Sequence, residues 1–134
     1  MAATRSDLKT AATIFYVAGV VLVAYGLGFL LSPHVMLNLS QDPGVPTNGG
    51  WVRWAGGPLL GMGVAAWLAA NNPEKQGPLI VGFAVAFTLI ALALLYSTLG
   101  GEYLGVQWFI WLPIVITAVS AAAMWWLAAR YTRP

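Results

Sequence analysis

Apolar residues in this chain are gathered into four runs, separated by short polar punctuation. The first, residues 11–31, reads AATIFYVAGVVLVAYGLGFLL. The second covers residues 51–70, opening on Trp51-Val52-Arg53-Trp54 and continuing AGGPLLGMGVAAWLAA. The third, residues 78–99, is PLIVGFAVAFTLIALALLYSTL, and the fourth, residues 106–129, is VQWFIWLPIVITAVSAAAMWWLAA. Each approaches or exceeds the roughly 20 residues that a helix needs to cross the hydrocarbon of a bilayer. Backbone polar groups have no water to bond there, so each run is expected to be helical. None alternates polar with apolar positions, as the shorter strands of a membrane barrel do. The first run is too long for the core of a cleavable signal peptide, and no convincing small-residue cleavage site follows it, so it reads as a span.

The polar punctuation sets the layout. The segments NNPEKQG and GGEYLG are short, which predicts that spans two and three, and spans three and four, are antiparallel neighbours. The connection from Ser32 to Gly50 is longer. Within it Ser32-Pro33 has the form of an N-cap followed by proline at the first helical position. This predicts a short helix over HVMLNLS, lying in the interface with Val35, Met36 and Leu39 turned to lipid or bundle. Asp42-Pro43-Gly44 and Asn48-Gly49-Gly50 are turn signals. With no fixed-period repeat, low-complexity tract or linker, the expectation is one all-α domain over residues 1–134, an integral membrane four-helix bundle.

Composition strengthens this reading. The chain is 60% hydrophobic and 7% charged, against roughly 25% charged in soluble proteins. Too few charges are present to cover a soluble domain. A net charge of +2 gives no reason to expect a nucleic-acid partner, and the absence of cysteine removes disulfides and thiolate metal sites. The basic residues are distributed unevenly. Arg5, Lys9, Lys75, Arg130 and Arg133 fall on the side of the termini, and Arg53 alone falls opposite. The positive-inside rule then predicts cytoplasmic termini and residence in the inner (plasma) membrane. Tryptophans agree: Trp51, Trp54, Trp108 and Trp111 mark outer span ends, and Trp67, Trp125 and Trp126 mark inner ones, depths that indole rings favour.

The second span carries the most specific interaction signals. Gly57, Gly61, Ala65 and Ala69 recur every four residues, the spacing of a face that admits a close helix neighbour. Ala24 and Gly28 in span one, and Gly82 and Ala86 in span three, offer the same interval. The seam is expected either inside the bundle or against another subunit, a second copy of the chain included. Pro58 and Pro113 lack the N–H that a helix interior needs, which predicts kinks in spans two and four. Arg53, near a helix N-terminus where the macrodipole disfavours a cation, is expected to pair with Glu102 or Asp42. Its alternatives are a lipid phosphate held by the planar guanidinium, or simple snorkelling between tryptophans.

Candidate chemistry is sparse. His34, the sole histidine, reads as a surface residue near a helix start rather than as a haem or chlorophyll ligand. Asn38-Leu39-Ser40 is a glycosylation sequon too short to be specific. Within the spans the polar set beyond Arg53 is Thr13, Tyr16, Tyr25, Thr88, Tyr96, Ser97, Thr117 and Ser120. Hydroxyls of this kind hold a neighbouring helix or the carbonyl of a lipophilic ligand, but they make no acid–base pair at neutral pH without strong activation. Proton-coupled carriers and membrane hydrolases need ionisable groups at depth. The expectation is therefore a non-enzyme with no catalytic or metal-binding residue.

The pattern LLSPHVMLNL after span one, and VRWAGGPLLGMG at the head of span two, resembles small bacterial four-helix membrane proteins of the DoxX-like and DUF4345-type families. The DoxX-like resemblance implies an accessory membrane subunit associated with quinone-linked redox complexes, and it implies no catalytic residue. Two functions stay in view. One is a non-catalytic accessory subunit that stabilises a larger respiratory or photosynthetic complex through protein contacts within the bilayer. The other is a binder or carrier of a quinone, carotenoid or lipid in a cleft between kinked spans two and four. No cofactor is required by the sequence, and membrane lipids are partners in either case.

Overall fold

A computed structural model describes residues 4–40, 49–102 and 105–131. The protein is all-helical over these residues: α1 (Arg5–Leu31), α2 (Pro33–Ser40), α3 (Gly49–Ala70), α4 (Gly77–Leu99) and α5 (Gln107–Tyr131), with a single 3₁₀ turn at Pro73–Lys75. Three of them, α1, α4 and α5, are long and apolar enough to cross a membrane. At 27 residues α1 is about 40 Å long. Helix α3 has 22 residues, but its glycines, Pro58, Arg53 and tryptophans dilute its apolarity. Large apolar side chains such as Val17, Leu68, Leu89 and Val119 stand exposed along the long helices, as in a chain whose solvent is lipid.

Helix boundaries follow local chemistry. Thr4 accepts the Asp7 N–H while the Asp7 carboxylate accepts the Thr4 N–H, a capping box that starts α1 before the apolar run. Ser32 joins two helices. Its N–H closes α1 on the Gly28 carbonyl at 2.9 Å, and its carbonyl accepts the Met36 N–H at 3.1 Å to open α2. The short helix predicted from Ser32-Pro33 is therefore present, with Pro33 buried, Val35 outward and Met36 against Gly28. Helix α4 ends in Gly100 and Gly101, the latter at φ +74°, a left-handed conformation that glycine adopts freely. Both α3 and α5 run unbroken through Pro58 and Pro113.

The helices associate as two extended pairs, α1 with α3 and α4 with α5. The second is the expected neighbour pair across a short loop. The first is not: α3 and α4 share no extended interface despite the short connection between them, and α3 packs on α1 across the longest loop. At the end bearing the described N-terminal residues the two pairs meet in one core. Ala11, Phe15 and Ala18 of α1 pack there with Ala66 and Ala69 of α3, Ile80 and Phe83 of α4, and Met124 and Leu127 of α5. Phe15 meets Phe83 edge to face at 5.9 Å, a favourable aromatic geometry. An Asp7–Arg130 ion pair ties α1 to α5 at this same end.

The α1–α3 seam uses different glycines from those expected. Along α1 the contact positions are Tyr16, Gly19, Val23, Gly26 and Leu30; along α3 they are Gly56, Leu60, Gly63 and Trp67. Alternating steps of three and four residues form the heptad pattern that keeps two helices in contact. A Cβ on Gly26 would lie 2.7 Å from the Leu60 nitrogen, and one on Gly63 would lie 2.9 Å from the Val23 nitrogen. Backbone thus faces backbone. Gly57 and Gly61, by contrast, have nothing within 4 Å of an added Cβ, so the four-residue stripe lies off this seam. Ala65 is half-buried beside it, and of that stripe Ala69 alone joins the core. Gly82 is likewise open, and α4 turns Ile80, Phe83, Ala84 and Phe87 inward instead.

Candidate functional site

Where the inner core stops, the two helix pairs leave a space. A partly open cavity of about 190 Å³ lies in the half of the bundle remote from the Asp7–Arg130 pair. Helix α1 contributes Val21, Leu22, Tyr25 and Phe29, residues spaced by three or four so that one helix face serves the wall. Helix α4 supplies Phe87, Ile90 and Leu94 at the same kind of spacing, and α5 supplies Phe109, Ile110, Pro113, Ile116 and Thr117. Met36 and Ser40 of α2 close over it, while α3 adds Leu59 alone. The expected cleft between spans two and four is thus replaced by a cavity among α1, α4 and α5. Its floor is apolar, with Phe87 and Leu22 almost fully buried.

The lid is fixed by backbone bonds. The Val106 N–H donates to the Leu39 carbonyl at 2.9 Å and the Gly105 N–H to the Ser40 carbonyl at 3.3 Å. These contacts hold the end of α2 against the start of α5. Aromatic rings line the rim, with Tyr25 6.1 Å from Phe29 and 6.5 Å from Phe109.

Among the described residues the wall includes three hydroxyl-bearing side chains, Tyr25, Ser40 and Thr117, and no acid, base or imidazole that ionises at neutral pH. Thr117 donates to the Pro113 carbonyl at 2.7 Å, and Ser40 to the Met36 carbonyl at 3.0 Å. A hydroxyl has one proton to give, so both are committed to their own helices as donors. No hydrogen bond engages the Tyr25 hydroxyl among the described residues. Pro113 has no N–H to offer the carbonyl of Phe109 one turn back, which places a backbone acceptor in the same stretch of α5. The site can exclude water and offer one donor and a few acceptors. Acid–base catalysis needs a group that titrates near the working pH, and none is among the described wall residues.

The expected ionic contacts resolve differently. Arg53 is exposed near the start of α3, and among the described residues no ion pair joins it to Glu102. Glu102 instead gives its backbone N–H to the Ser97 carbonyl at 2.9 Å while its side chain stays exposed. Asp42, the turn at residues 42–44, and Arg133 lie outside the described residues. An ion pair among the described residues, Asp7–Arg130, was not foreseen, because its partners are separated by most of the chain. Hydrogen bonds from Thr4 hold the Asp7 carboxyl below its ordinary range, and Arg130 adds to this. Arg130 also lies 4.1 Å over the Trp126 ring. His34 is exposed at the second position of α2, against Gly49, as a surface histidine is expected to be.

Two tryptophans do more than mark depth. Trp67 donates to the Tyr16 carbonyl at 3.2 Å across the α1–α3 seam, and Trp125 donates to the Thr88 hydroxyl at 3.0 Å across the α4–α5 pair. Thr88 passes its own proton to the Ala84 carbonyl at 2.7 Å, leaving its oxygen free to accept. The sequence signal for these bonds was weak, since an indole near a span end has headgroups as an alternative partner.

The likeness to DoxX-like and DUF4345-type proteins rests on residue pattern alone, for no family model, no curated protein and no solved structure matches the chain.

Proposed function

We propose that this chain is a non-catalytic membrane protein that holds a neutral lipophilic molecule in the cavity among α1, α4 and α5. One observation carries the reading: a space of about 190 Å³ among α1, α4 and α5, walled by aliphatic and aromatic side chains. An engineered apolar cavity of about 150 Å³ stays dry and takes up benzene. A ligand reaching this one from the bilayer leaves one apolar medium for another, so selectivity rests on shape and on the few polar wall groups.

In this proposal α3 is a fourth span beside α1, α4 and α5, and both termini are cytoplasmic in the inner membrane. Arg5, Lys9 and Arg130 cluster with the 3₁₀ turn bearing Lys75 at one end, while Arg53 lies near the opposite end of α3. That asymmetry is the support for orientation.

A second reading has its own observation. Gly57, Gly61 and Gly82 are open on the outside of the bundle, where an added methyl would meet nothing within 4 Å. Such faces suit helices of an accessory subunit that docks on a larger membrane complex. The experiment that separates the two is extraction into native-lipid nanodiscs, followed by mass spectrometry of wild type and an Ile116→Trp variant that fills the cavity. The proposed function expects a stoichiometric apolar compound that the variant loses. Stoichiometric partner chains, retained by both forms with no such compound, would move the assignment to the accessory subunit.

A further inference from the structure

We infer that the cavity selects an uncharged ligand of one ring's width bearing a carbonyl or ether oxygen, with Tyr25 as the residue that reads that oxygen. The inference deepens the lipophile-holding function and rests on it.

Three features of the wall define the ligand. Size comes first. About 190 Å³ admits a single six-membered ring with a few methylenes, since about 150 Å³ already holds benzene, and it is far too small for a tetrapyrrole or the body of a carotenoid. Charge comes second. Among the described residues no Asp, Glu, Lys, Arg or His lines the space, and an ion without a partner is strongly disfavoured in such surroundings. Hydrogen-bond sense comes third. Thr117 and Ser40 have already donated their protons to backbone carbonyls, so Tyr25 supplies the one donor on the wall with no partner among the described residues. A donor on the protein calls for an acceptor on the ligand. Because Tyr25 is held between Phe29 and Phe109, its ring orientation is set by packing.

The test uses the whole protein in phosphatidylcholine nanodiscs with ¹³C-methyl methionine. Met36 lines the cavity and reports on it, whereas Met124 is fully buried in the inner core and serves as the reference. Three probes of similar shape are titrated, with concentrations corrected for partition into lipid: butylbenzene, butyrophenone and 4-phenylbutyrate. Saturable shifts at Met36 but not at Met124 are expected for the two neutral probes, and none for the carboxylate. Butyrophenone should half-saturate at a concentration roughly three- to tenfold lower than butylbenzene, the net worth of one hydrogen bond. Tyr25→Phe should abolish that preference, and a Met124 resonance at its wild-type position certifies that the variant folds. Equal half-saturation of the two neutral probes in the wild type overturns the role of Tyr25, whatever the variant does, while leaving a lipophile cavity in place. Preference for the carboxylate overturns the uncharged class. Failure of both neutral probes to saturate overturns the lipophile-holding function itself.

Discussion

The close approach of α1 and α3 can be tested by adding one methyl group at a time. In Gly26→Ala the new Cβ would lie 2.7 Å from the Leu60 nitrogen and 2.9 Å from its Cα, where ordinary contact begins at 3.4 Å. Both clashing atoms are main chain, so no rotamer change relieves them. The helices must part by about 0.7 Å at that layer, a gap that forfeits a quarter to a half of the dispersion well for atoms facing across it. Overpacking of this kind costs about 1–3 kcal/mol. Alanine's better helix propensity returns roughly 1 kcal/mol in the aqueous scale. Gly57→Ala gains the propensity without the clash, because nothing lies within 4 Å of its Cβ. The difference between the two variants therefore isolates the packing cost, about 1–3 kcal/mol in favour of Gly57→Ala. Gly63→Ala should follow Gly26→Ala, since its Cβ would meet the Val23 nitrogen at 2.9 Å and the Gly19 carbonyl at 3.0 Å. Gly61→Ala should follow Gly57→Ala. The assay is reversible unfolding in mixed micelles of a mild detergent and dodecyl sulfate, followed by circular dichroism. Equal loss of stability in all four variants would refute the heptad seam and restore the four-residue stripe as a packing face.

Three further expectations follow from named contacts. Arg53→Glu and Glu102→Arg, alone and combined, should show no coupling beyond the ~0.3–0.5 kcal/mol of independent sites, because no ion pair joins them; coupling above 1 kcal/mol would reinstate the outer tie. Hydrogen bonds from Thr4 hold the folded-state Asp7 carboxyl below its ordinary value of 3.8, so the stability it contributes is present above 3.8 and is lost as pH falls through the lowered folded value. Amide exchange at Leu8, whose N–H bonds the Thr4 carbonyl at 3.1 Å, should accelerate relative to its intrinsic rate in that acid window, and in Asp7→Asn at neutral pH; unchanged protection in both would remove the carboxylate's role in the cap. Pro113→Ala restores an N–H to the Phe109 carbonyl and should stabilise the protein by up to ~3 kcal/mol while weakening butylbenzene uptake, because the Pro113 ring is lost from the cavity wall. Unchanged uptake would show that the proline does not shape the wall.

How much of this was legible in the sequence depends on whether a feature is local. The three apolar spans and α2 announce themselves through run length and through Ser32-Pro33, since each is decided by residues adjacent in the chain. Which face of α3 packs was not legible. Gly56-Gly57 places two glycines about 100° apart around the helix, and Gly61 and Gly63 extend each choice. A four-residue count selects Gly57 and Gly61, whereas the partner helix selects Gly56 and Gly63, because its own Gly19 and Gly26 are also seven residues apart. Complementarity between two helices is a property of the pair. Loop length misled in the same way. A short connection constrains where two helix ends lie, but the extended interface goes to the pair whose backbones can approach most closely, here α1 and α3. Likewise the Asp7–Arg130 ion pair needed knowledge that α1 and α5 begin and end side by side.

The position of the cavity then has a mechanical origin. Each helix pair is held along its length, α1–α3 by backbone contact at Gly19, Gly26, Gly56 and Gly63, and α4–α5 by an extended interface that includes the Trp125–Thr88 hydrogen bond. Between pairs, the large residues of the core lie toward the end that bears the Asp7–Arg130 pair: Phe15, Ile80, Phe83, Met124 and Leu127. Two stiff pairs joined near one end can diverge at the other, and the space between them must then be filled by side chains, a lid or a ligand. Helix α2 provides the lid, seated on Gly28 through Met36 and bonded to the start of α5 at Leu39 and Ser40. Among the described residues no comparable element closes the α3–α4 side, where Leu59 is the sole contribution of α3 to the wall. That side is accordingly the natural route for an apolar molecule entering from the bilayer, and bulk added at Leu59 should slow entry before it alters affinity.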